Sequence, residues 1–194
     1  MMGWHWLAKD RRLQFGTHEV VEVGGVYRAT GPLVMCSNGV HASRRVLDAL
    51  RYAPGSICCR VQLRGGILHG TDKSVARERR VLWMVDATTL LHEFALIVVL
   101  NMLHWAKARG EYVDPRSWVA LDVKERWLRG VATDRQLDAQ RAAACAAARD
   151  AARDAAWDAA CATARAAAWD AAEDVAWDAQ NTMLETMLET RKGK

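Results

Sequence analysis

The apolar positions change their spacing along the chain. From residue 3 to about 85 they come in short runs divided by glycine or charge, the signature of strands. "GWHWLA" and "RLQF" flank a charged turn, and "VYRA" follows Gly24 and Gly25. "SICCRVQL" and "GILHG" lie on either side of Arg64-Gly65-Gly66, which reads as a glycine-rich hairpin, and "ERRVLWMVD" closes the series. Between these runs Ser43 precedes "RRVLDALRYA", where Val46, Leu47, Leu50 and Tyr52 make a short amphipathic helix. Ser43 is placed to cap it, and Pro54 and Gly55 stop it. Strands around one early helix predict an α+β fold with a small N-terminal mixed β-sheet domain.

The period then lengthens. "DATTLLHEFALIVVLNMLHWAKARG" carries apolar side chains on nearly every side, so a buried helix is expected, capped by Asp86, Thr88 or Thr89 and ended by Gly110. Asp114-Pro115 opens another helix, with Trp118, Leu121 and Trp127 on one side and its end near Gly130. From Thr133 onward nothing breaks helix, and 22 of the 42 residues from Ala139 to Gln180 are alanine, the strongest helix former. One unbroken helix over residues 133–190 would run roughly 87 Å at about 1.5 Å per residue. The expected organisation is an α+β head over residues 1–86, a helical connector packed on it over 87–130, and an alanine-rich arm over 131–194, either a long helix or a helical hairpin.

In the arm the larger residues recur every four positions. Each step of four turns the ridge by about 40° on a 3.6-residue helix. Trp157 and Trp169 therefore stand about 120° apart and Trp169 and Trp177 about 80° apart, so no single flat partner covers all three. Either shorter helices fold on one another or several partners wrap one long helix. Near the end, Met183, Leu184, Met187 and Leu188 restore a larger apolar face suited to docking or dimerisation. These seven side chains are the expected partner-binding set.

Charge divides the chain the same way. Residues 1–130 hold 19 Lys/Arg against 12 Asp/Glu, a balance of +7, and residues 131–194 hold 8 against 11, a balance of −3. The basic half favours an anionic partner, but its arginines are scattered, which makes nucleic acid a lesser expectation than protein. Five cysteines without a CxxC pair fit a reducing compartment. Charge arrives within the first dozen residues, before a signal-peptide core could form. The run from Phe94 to Leu100 falls short of the roughly 18 residues a bilayer span needs, so a cytoplasmic protein without a membrane segment is expected.

Candidate chemistry is sparse. Cys36 and His41 flank the Asn38-Gly39 turn, yet two ligands do not make a zinc site, and no metal or cofactor is expected. His92 and Glu93 are adjacent on a helix and point about 100° apart, which favours structural roles. Lys73 sits in a turn with no identifiable partner, and Cys58 and Cys59 point to opposite strand faces.

The stretch "GWHWL…VGGVYRATGPLVMCSNGVHASRRVLDALRYAPGSICCRVQL…DKSVARERRVLW" resembles an uncharacterised domain family carried by phages and by bacterial genomes with integrated elements. Its marks are the Cys-x-x-Gly-x-His turn, here Cys36, Gly39 and His41, and a later Asp-Lys, here Asp72 and Lys73. The alanine/tryptophan tail is similar to repeats on such proteins and on some bacterial immunity proteins. A looser resemblance is to the ADP-ribosyltransferase fold, which implies Arg28 and Ser43 holding a dinucleotide, His41 on the ribose and Tyr52 ending the helix. The strand-borne Glu of that fold is missing, and Glu93 lies on a predicted helix instead. The resemblance to the mobile-element family implies a phage accessory protein, more a binder than an enzyme, acting on sister copies or on a host defence complex as an anti-CRISPR-like inhibitor. An NAD-binding enzyme and a phage structural or assembly component are the alternatives.

Overall fold

A computed structural model describes residues 1–140, 142, 143 and 166–192, with only the backbone described for 166–175. The expected α+β class is borne out. Five strands, β1 (Met2–Leu7), β2 (Val26–Arg28), β3 (Val40–Ala42), β4 (Ile57–His69) and β5 (Ser74–Asp86), form one sheet. Its order is β1-β4-β5-β2, with β3 also paired to β5. Every ladder is antiparallel, so the sheet is not the mixed one expected.

β4 and β5 are the spine. The expected hairpin at Arg64-Gly65-Gly66 does not form; β4 runs through it with a shift of register between Arg64 and Ile67. Two glycines at positive φ, Gly65 at 75° and Gly66 at 78°, stand opposite the single Arg77 and absorb the one extra residue as a bulge instead of reversing the chain. The reversal comes later, where Gly70 N–H donates to Lys73 O at 2.8 Å. "RLQF" forms no strand and contributes one isolated bridge, Arg12 to Val20.

The sheet curls until Ser43, just past β3, meets β1. Trp4 N–H donates to Ser43 O at 2.7 Å, and Ser43 N–H returns to Trp4 O at 3.0 Å. This closes an edge that would otherwise offer unpaired backbone. Ser43 is thus a pairing residue and does not cap α1 (Val46–Leu50), whose N-cap position is Arg45 without a side-chain bond. The missing cap comes from far along the chain: Asn181 Oδ1 accepts the Leu47 N–H at 3.0 Å.

Asn181 belongs to the C-terminal helix α4 (Ala166–Arg191). On this helix Leu184 and Leu188, one turn apart, are fully buried, while Met183 and Met187 are half-buried. The face expected to await a partner is therefore consumed within the chain at Leu184 and Leu188. Residues Met1–Leu91 and Ala179–Lys194 form one compact unit and His92–Asp178 another. Trp157 lies outside the described residues, as does the side chain of Trp169, and Trp177 is half-buried.

Two more helices are α2 (Thr88–Ala108) and α3 (Pro115–Leu128). Both end as expected at glycines with positive φ, Gly110 and Gly130. Asp114 caps α3 by accepting the Arg116 N–H at 2.8 Å. Burial of α2 is not borne out. Leu90 and Phe94 are buried, but Ile97, Val99, Met102 and Trp105 are 36%, 40%, 60% and 49% exposed. At 21 residues and a mean hydropathy of 1.4, α2 is by length and composition long and apolar enough to cross a bilayer, which the shorter Phe94–Leu100 run concealed.

Candidate functional site: a cationic cavity

The curl of the sheet leaves an open cavity of about 540 Å³ within the first compact unit. Five separate stretches supply its chemistry: His5 from β1, Arg12 and Phe15 from the loop after it, Cys36 and His41 around β3, Tyr52 after α1, and Lys73 from the turn before β5 with Arg79 from the middle of that strand. Among the described residues no Asp or Glu lines it.

Strand register explains why these groups converge. Directly paired residues share a face, so His5 stands with Cys59, and Arg79 with Leu63 and Tyr27. Arg79 is 4% exposed, and burial pulls its guanidinium down to about 10 from the ordinary arginine range. Its Nη1 donates to His41 O at 3.0 Å, and its Nε has no partner.

His41 is held by the turn before it. Asn38 Nδ2 donates to Thr30 O and Pro32 O at 2.7 Å each, which fixes the loop. Cys36 then takes a left-handed φ of 64° and its N–H donates to His41 Nε2 at 3.2 Å. This contact occupies Nε2, one of the two ring nitrogens, and among the described residues no group of three His, Cys, Asp or Glu could hold a metal. Burial, then the charges of Lys73 and Arg79, holds His41 below its usual value. His5 is held further down by burial, Arg79 and His41.

At the rim, Tyr52 Oη donates to Asp72 Oδ2 at 2.5 Å and the Lys73 ammonium sits 3.9 Å over the Tyr52 ring. The lysine with no visible partner in the sequence therefore has one in the Tyr52 ring. The interior thiols are inert by contrast: burial pushes Cys59 up to about 12 and raises Cys58 well above its ordinary value.

Of the residues suggested for catalysis, His41, Ser43 and Tyr52 line this cavity. Arg28 does not; it pairs with Glu78 at 3.0 Å on exposed β2. Glu93 belongs to the second compact unit, as does His92, whose Nδ1 lies 3.0 Å from Lys124 Nζ and whose ring packs edge-on to Trp127. His5 and Arg79 escaped the sequence reading. Arg79 carried a faint signal, since it shares the alternation of Val75 and Val81 on one strand.

The two histidines set a pH dependence. Both have folded values depressed below 6.5, so the unfolded chain takes up more protons as pH falls through that value. The stability gained by keeping them neutral is complete above about pH 6.5 and is lost below it. The urea midpoint is expected to drop between about pH 7.5 and 5.5, and to drop less in His5→Gln. Equal slopes in the two proteins would remove His5 as the cause.

Residues 8–93 match the model of a family described as a domain of unknown function (DUF7666), and the match includes Cys36, His41, Tyr52, Lys73 and Arg79 but ends before most of α2. Comparison with curated proteins and with solved structures finds no match.

Proposed function

We propose that the first compact unit is a small-molecule-binding module. The observation that carries this reading is the cavity itself, in which polar and aromatic groups from five stretches of chain face a common space of about 540 Å³. Binding is favoured over acid–base catalysis because no carboxylate lines the cavity and both histidines already face cationic neighbours. The test is NMR of the full chain against a small fragment library. Ligands are expected to shift the His41 and Tyr52 resonances together; shifts confined to other residues would refute the reading.

A second reading concerns α2. Its exposed Ile97, Val99, Met102 and Trp105 support a protein-binding role for the second unit, in keeping with a mobile-element accessory protein that antagonises a host defence complex. Light scattering on the full chain and on Met102→Ser/Trp105→Ser tests it. Self-association lost in the double variant supports an interface between copies, while a monomer that floats with vesicles makes α2 a membrane element.

A further inference from the structure

The geometry points to a phosphate-bearing small molecule as the ligand of the cavity, with the Arg79 guanidinium as its buried recognition group. This inference rests on the ligand-binding reading above and names its chemical class.

A buried arginine is ordinarily paired with a carboxylate, because a desolvated charge without a counter-charge is strongly unfavourable. Arg79 is 4% exposed, yet among the described residues its side chain donates only to the neutral carbonyl of His41, and Nε is left without a partner. The other charged groups on the lining make matters worse. Lys73 and Arg12 are both cationic, and among the described residues no Asp or Glu faces the same space. Asp72, beside Lys73, is engaged by the Tyr52 hydroxyl and does not line the cavity.

An anion entering the cavity removes the conflict in one step. It supplies the missing acceptor for Nε and the missing countercharge for three fixed cations. His5 adds capacity: burial and the cations around it hold the ring neutral, so a bound anion favours the protonated ring, which can then donate to it. Three cations with one inducible one match a dianionic group better than a single carboxylate. A planar guanidinium also presents the paired N–H donors that phosphate oxygens fit. The cavity is several times larger than a phosphate ion, which leaves room for an organic substituent, and exposed Phe15 offers it an apolar face at the rim.

The experiment uses the full chain and four probes followed by calorimetry: inorganic phosphate, sulfate, adenosine 5′-monophosphate and adenosine. The monophosphate is expected to bind about ten- to hundredfold tighter than adenosine, as charge-assisted hydrogen bonds predict, and phosphate is expected to compete with it. Phosphate binding as tightly as the monophosphate would make the free ion the ligand and remove the organic substituent. Arg79→Lys keeps the charge but loses the fork and is expected to weaken binding by roughly tenfold or more. Should it fail to fold, Lys73→Ala at the partly exposed turn gives the same reading with a smaller loss. Equal binding of the monophosphate and adenosine would overturn the phosphate assignment and leave the cavity reading standing. No binding of any of the four, while neutral fragments still shift His41 and Tyr52, has the same meaning; if those resonances respond to nothing, both fall.

Discussion

Replacing Leu188 with Ala lowers the unfolding free energy of the first compact unit by about 2–5 kcal/mol, the cost of removing a fully buried leucine when its surroundings cannot collapse. Leu188 is 0% exposed, as is Leu184 one turn earlier, and Asn181 on the preceding turn accepts the Leu47 N–H. The three act together: two leucines exclude water, and the amide completes the start of α1, which has no side-chain cap of its own. Leu184→Ala is expected to cost as much, and Met187→Ala, only half-buried, clearly less. Urea unfolding followed by tryptophan fluorescence reads the effect, because Trp4 and Trp6 are buried in the same unit. An unchanged midpoint in Leu188→Ala would mean that this end of α4 does not dock there.

Gly39→Ala is expected to destabilise by about 2–6 kcal/mol, combining backbone strain with overpacking. Gly39 has φ 133°, which L side chains rarely adopt, and a Cβ there would stand 2.2 Å from Val75 Cγ2 and 3.2 Å from Ala76 O. Relief requires β3 to move away from β5, and His41 moves with it. Gly24→Ala is the control: its φ of 85° carries the strain, but nothing lies within 4 Å of the new methyl. If the two variants unfold at the same denaturant concentration, the contact with Val75 is not a close one.

What the sequence disclosed follows from how local each signal is. The caps and stops of α2 and α3 depend on residues within a turn of the helix end, and Asp114, Gly110 and Gly130 serve as read. Gly65-Gly66 misled because positive φ suits a bulge as well as a turn, and the partner strand decides between them. Ser43 misled for a similar reason: its backbone was claimed by Trp4, from the far edge of the sheet. In the site, the Cys36–His41 turn was visible because six residues contain it. His5 and Arg79 were not, since only register and curl bring them to one space. Leu184 and Leu188 were recognised as a docking face, but no local pattern says whether such a face meets its own chain or another.

The return of the chain at Ala179 to the unit it left at Leu91 makes everything between an insertion held at both ends. A chain cut after Leu91 would therefore lose Asn181, Leu184 and Leu188 together with the second unit, leaving the start of α1 uncapped and its water-excluding leucines gone.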